Sequence, residues 1–101
     1  MHQILVTVAR TSGSVPREVG AWMAVTADGF NGTVGGGHLE FDAIARARAA
    51  LAGGELEDEV RYPLGPSLGQ CCGGVVWLRF ERVSSGEELA ARLPEAAART
   101  R

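Results

Sequence analysis

The chain has 101 residues, 46% hydrophobic and 22% charged, the proportions of one small globular domain and not of a disordered chain. Its formal charge of −2 argues against a nucleic-acid binder that works by neutralising phosphates, and its apolar runs are too short to span a bilayer. Every basic residue is arginine, which a coding bias explains more simply than selection for bidentate anion contacts. Met1-His2-Gln3 lacks the basic start and long apolar stretch of a secretory signal, so a reducing cytoplasm is the expected compartment. There, two adjacent cysteines build no disulfide framework and need another explanation.

Gln3 to Arg10 is short and rich in β-branched residues, and the polar Thr11-Ser12-Gly13-Ser14 bounds it, so it predicts a first strand. Val15 to Gly20 reads as a loop, because Pro16 cannot donate to a ladder. Ala21 to Ala27 predicts a second strand, Asp28-Gly29 a tight hairpin turn, and Phe30 to Val34 a third strand weakened by glycine. Gly35-Gly36-Gly37 ends it, and an alanine-rich helix is predicted from about His38 to Ala52, stopped by Gly53-Gly54. Helical spacing puts Ile44, Ala47 and Leu51 on one face, flanked by Phe41 and Ala43, with Glu40 on the same inward stripe. A carboxylate there either complements the positive end of the helix or points into a site.

Glu57 to Pro63 predicts a fourth, edge strand. Leu64 to Gly74 has five glycines or prolines among its eleven residues, too many for regular structure. Val75 to Arg82 alternates as a fifth strand, and Ser84 or Ser85 can cap a last helix with Glu87 or Glu88 in its first turn. The order predicts an α/β (α+β) layer fold: a small mixed sheet of about five strands, one main covering helix and a C-terminal helix, in a single domain.

Glycine costs backbone entropy on folding, so clusters of it point to places where a backbone must approach a ligand closely. Gly35-Gly36-Gly37 opens a helix whose free N–H groups offer a seat for an anion, or it is simply a tight strand-to-helix turn. It lacks the spacing of a dinucleotide fingerprint, and without lysine it is no P-loop. Gly69-Gln70-Cys71-Cys72-Gly73-Gly74 is the most informative stretch. Its thiols admit several readings: an inert pair, a vicinal disulfide switch, a structural zinc site, a sulfur relay, or ligation of a cofactor by soft thiolate donors. His38-Leu39-Glu40 followed by cysteines imitates the signature of zinc deaminases, but Pro66 does not adjoin a cysteine and Cys71 and Cys72 are contiguous. Ser12 and Ser14 lack the setting of a hydrolase nucleophile.

Arg10-Thr11-Ser12-Gly13-Ser14-Val15-Pro16-Arg17, Gly20-Ala21-Trp22-Met23, Gly35-Gly36-Gly37-His38-Leu39-Glu40 and Gly69-Gln70-Cys71-Cys72-Gly73-Gly74, in this order, resemble the N-terminal domain of the xanthine dehydrogenase accessory factor family, XdhC/CoxI. The double cysteine resembles the XdhC-like branch more than the CoxI-like one. The resemblance implies a chaperone, not an enzyme in its own right. It would bind molybdenum cofactor (molybdopterin), protect it while its terminal sulfido ligand is installed, and deliver it to a xanthine dehydrogenase-type molybdenum hydroxylase. Cys72 or Cys71 would approach the metal, with Gln70 beside them. Gly35, Gly36 and Gly37 would cradle the pterin phosphate, Ser12, Ser14 and Arg17 would add anion contacts, and Glu40 would orient the cysteine loop or a pterin N–H. A cysteine desulfurase as a further partner and a homodimer are expected, and no nucleic acid or membrane. The alternatives are a thiol redox or sulfur-relay module using the vicinal cysteines, and a non-catalytic assembly domain whose exposed loops bind the target enzyme or a second copy. Members of the family usually carry a C-terminal Rossmann-like domain, for which this sequence has no room, so an excised or stand-alone domain is expected.

Overall fold

The structure, a computed structural model, describes residues 2–13, 15, 17–64 and 73–84. Five strands and one helix follow in the order β1 (Gln3–Ser12), β2 (Trp22–Val25), β3 (Phe30–Gly32), α1 (Gly37–Leu51), β4 (Glu59–Pro63) and β5 (Val75–Val83). The sheet order is β3-β2-β1-β5-β4, and every pairing is antiparallel. The sheet is therefore not mixed. Its one helical crossover joins β3 to β4, which run the same way but sit at opposite edges, so parallel strands never become neighbours. The C-terminal helix expected after Ser84 lies outside the described residues.

β1 extends past Arg10 to Ser12, because β5 offers partners for Thr11 and Ser12 beyond a bulge between Val8 and Arg10. β2 and β3 are shorter than their apolar patterns suggest. Gly32 takes φ +84° and leaves the strand conformation, and Thr26 closes the hairpin by accepting from the Gly29 N–H at 3.0 Å on its hydroxyl. β4 is an edge strand, as its charged composition suggests.

Alternation along the strands sends Ile4, Val6 and Val8, Met23 and Val25, and Val76, Leu78 and Phe80 to one face, where all are buried. Leu39, Ala43, Ala47 and Ala50 of α1 close over them. Three alanines in that stripe let the helix axis approach the sheet closely, and burial of each large aliphatic stabilises by about 1.5–3 kcal/mol. The helical stripe differs from the expected one. Leu39 replaces Phe41, which is 73% exposed, because Phe41 lies two residues, hence about 200° of helical turn, from both Leu39 and Ala43. Ile44 and Leu51 pack at the margin. Among the described residues, no helix is long and apolar enough to cross a membrane.

Candidate functional site at one end of the sheet

Antiparallel pairing gathers three connections at one end of the sheet. The register pairs Ser12 with Val75, Pro63 with Val75, Thr7 with Trp22 and Met23 with Gly32. The β1–β2, β3–α1 and β4–β5 connections therefore all leave from that end. A Cβ added at Gly13, where φ is +75°, would lie 3.4 Å from Cα of Gly74, so the first motif runs against the exit of the glycine-cysteine segment. Leu64 donates its N–H to Gly74 O at 2.7 Å and accepts from Gly73 N–H at 2.8 Å, which closes the β4–β5 connection at its base. Gln70, Cys71, Cys72 and Ser14 lie outside the described residues. Ser12 is exposed at this end, and Arg17 is half-buried.

Gly35, Gly36 and Gly37 take φ values of +132°, +77° and +65°, a path that side-chain-bearing residues rarely follow. Glu40 holds that path from within the helix. Its Oε1 accepts from the Thr33 hydroxyl at 2.5 Å, from Gly36 N–H at 3.1 Å and from Val34 N–H at 3.3 Å. The Thr33 hydroxyl in turn accepts from Gly35 N–H at 3.0 Å. A carboxylate of the chain itself thus occupies part of the seat that the glycine turn offers an anion, and it also complements the positive end of the helix. Arg17 ties in the neighbouring loop: its guanidinium donates to Thr33 O at 3.4 Å and lies 3.6 Å from the Glu18 carboxylate. Thr33 is the residue that sequence reasoning missed. A hydroxyl before a glycine run and seven residues from a first-turn glutamate is too loose a pattern to read without coordinates.

A second polar cluster joins α1 to β4. The Tyr62 hydroxyl donates to Asp42 Oδ2 at 2.6 Å, and Arg46 Nε donates to the same oxygen at 2.9 Å. Burial pushes the Tyr62 hydroxyl well above the ordinary phenol range, and its hydrogen bond to the Asp42 carboxylate pushes it further. Burial also works to raise Asp42, but Tyr62 and Arg46 outweigh it and leave the carboxyl below its usual range. The Asp42–Arg46 spacing is a readable helical pair, whereas the Tyr62 contact depends on β4 lying at the edge beneath the helix. Among the described residues, no three His, Cys, Asp or Glu side chains group closely enough to hold a metal ion. His38, the deaminase-like histidine, is exposed and lies tilted against Phe41, with ring centres 6.5 Å apart.

No curated protein matches the chain. A crystal structure of a xanthine dehydrogenase from Bacillus halodurans is similar to it, with 27% identity and a TM-score of 0.75 over 89% of this chain. The match covers 29% of that protein, so this chain spans under a third of its length. The pattern of the XdhC and CoxI family matches residues 2–63, which takes in the first three motif segments and the elements β1 to β4 with α1. The chain belongs to the XdhC and CoxI family.

Proposed function

We propose that this protein is an accessory factor in the maturation of a xanthine dehydrogenase-type molybdenum hydroxylase. It binds molybdenum cofactor, shields it during sulfuration and passes it to that enzyme. A cysteine desulfurase is the natural class of sulfur donor. Family membership and the likeness to a xanthine dehydrogenase support the role in maturation. The observation that carries the cofactor reading is the gathering of three motif-bearing connections at one sheet end, with Gly13 against Gly74.

The described residues suit an anionic, hydrogen-bonding ligand. A Cβ at Gly36 or Gly73 meets nothing within 4 Å, so there is open space beside both backbones, and Ser12 offers an exposed hydroxyl. Arg17 supplies a guanidinium fixed at Thr33. Because Glu40 already takes the Val34 and Gly36 amides, Arg17, Ser12 and Ser14 are better partners for the pterin phosphate than those two amides are. Glu40 then serves by holding Gly35, Gly36 and Gly37 in their path. Cys71 and Cys72, with Gln70 beside them, would present soft thiolate donors suited to molybdenum. The cofactor itself supplies the metal centre and its exchangeable terminal ligand.

The test loads the full chain with molybdenum cofactor and compares the parent with Cys71→Ala and Cys72→Ala. Loss of cofactor retention in at least one variant is expected, and full retention in both overturns the thiol role.

A further inference from the structure

Both tryptophans of the chain, Trp22 and Trp77, lie on the face of the sheet opposite α1, at its motif-bearing end. On β5, Val76, Leu78 and Phe80 point to the core under α1, so Trp77 and Arg79 point away from it. In register, Trp77 stands between Arg10 on β1 and Arg61 on β4. The next row down the sheet runs Trp22, Thr7, Arg79 and Glu59. Two indoles and three guanidiniums therefore share one patch, next to the motif-bearing end. Both indoles are half-buried, and Arg10, Arg61 and Arg79 are exposed.

The patch is partly preformed. The Arg10 guanidinium sits 4.5 Å over the centre of the Trp77 ring, and its Nε lies 3.4 Å from Glu59. Among the described residues, neither Arg61 nor Arg79 has a carboxylate within salt-bridge distance. Lower on this same face Leu5, Ala24 and Val83 are buried, so the accessible part is the motif-bearing end, where the guanidiniums are exposed and the indoles half-buried. Trp and Arg are the side chains that dominate the centres of protein interfaces, and the planar guanidinium forks match carboxylates. The surplus of positive charge stands on a chain whose formal charge is −2, so the patch is locally opposite in sign to the molecule. An acidic surface complements it.

We propose that this Trp/Arg face docks a carboxylate-bearing surface of a protein partner. Resting on the function proposed above, that partner is the recipient enzyme, which would then meet the chain beside the end from which cofactor is delivered. Charge steers the encounter, and the indoles supply the desolvated centre.

The experiment measures binding of the full chain to cofactor-free xanthine dehydrogenase at low and high salt, alongside cofactor retention. Parent binding should weaken at least about tenfold across that salt range. Arg61→Glu with Arg79→Glu should weaken it at least about tenfold more at low salt, with an unchanged melting temperature and unchanged cofactor retention. Arg61→Lys with Arg79→Lys should recover part of the loss, since charge returns without the fork. If the charge-reversed variant binds like the parent, the face is not the docking surface, even though cofactor retention stands. Binding lost in the reversed variant while the parent fails to retain cofactor upholds the docking face and overturns the cofactor reading. A parent that does not bind the apoenzyme, or that binds duplex DNA equally well, overturns the docking face.

Discussion

Under α1 the sheet is held by burial, and at its motif-bearing end it is held by backbone geometry. Leu78, Val6 and Ile4 are fully buried among side chains that another aliphatic of similar volume can replace. Gly32, Gly35, Gly36 and Gly37 occupy positive φ, where the requirement is for one residue type and not for a class. The first region tolerates drift in sequence while keeping its chemistry. The second keeps its residues or loses its shape, and the motifs that mark the family sit there.

Substitutions can break that contrast in order of effect. Leu78→Ala should cost about 2–5 kcal/mol in denaturant unfolding, whereas Leu78→Met should cost under about 1.5 kcal/mol. Equal losses from both would show that shape, and not volume, rules the core. Gly32→Ala should cost about 1–3 kcal/mol, since its φ is +84° and a Cβ there would meet Trp22 O at 2.5 Å. Gly29→Ala, with nothing within 4 Å of its Cβ, is the control and should stay within about 0.5 kcal/mol. Thr33→Val removes the hydroxyl between Gly35 and Glu40 and should cost about 1 kcal/mol. Amide exchange should then rise at Gly35, whose acceptor is lost, while β1 and β5 stay protected. Unchanged exchange at Gly35 would mean that the turn does not depend on Thr33.

The smallest effect is at the α1–β4 cluster, whose Asp42–Arg46 pair is half-exposed. Asp42→Asn should cost under about 1 kcal/mol at neutral pH. Asp42 is held below the usual carboxylate range, so its contribution is present above that range and is lost as pH falls through the folded-state value. The parent and Asp42→Asn should therefore converge in stability in strong acid. The chain has a single tyrosine, so an alkaline absorbance titration reads Tyr62 alone. It should ionise well above the ordinary phenol range in the parent and closer to it in Asp42→Asn. Tyr62 favours the folded state below the ordinary phenol value, and that contribution disappears as pH rises through its raised one. A parent titrating like free tyrosine would show that the hydroxyl is not held by Asp42.

Periodicity and turn chemistry located each described strand and the helix, because alternation and glycine punctuation are local signals. Val76, Leu78 and Phe80 read as one face and form one. Two things were not local. The direction of β4 depends on the crossover of α1 from one edge of the sheet to the other, so the antiparallel ladder throughout was not legible. The role of Glu40 depends on where the Thr33 hydroxyl falls after the chain turns back on itself. The motif segments were legible as residues, and their meeting at one end follows only from strand order. The platform of Arg10, Trp77 and Arg61 likewise arises from three strands far apart in sequence.

The Leu64 clasp has a consequence for how this domain can change. Two main-chain bonds, from Leu64 N–H to Gly74 O and from Gly73 N–H to Leu64 O, join the ends of β4 and β5. The base of the β4–β5 connection is thereby fixed by backbone alone, and each doubling of a connection's length adds only about 0.6 kcal/mol of closure cost. A change within that connection should therefore leave the pairing of β4 with β5 in place. The clasp is a handle whose hold does not depend on the sulfur chemistry carried beyond it.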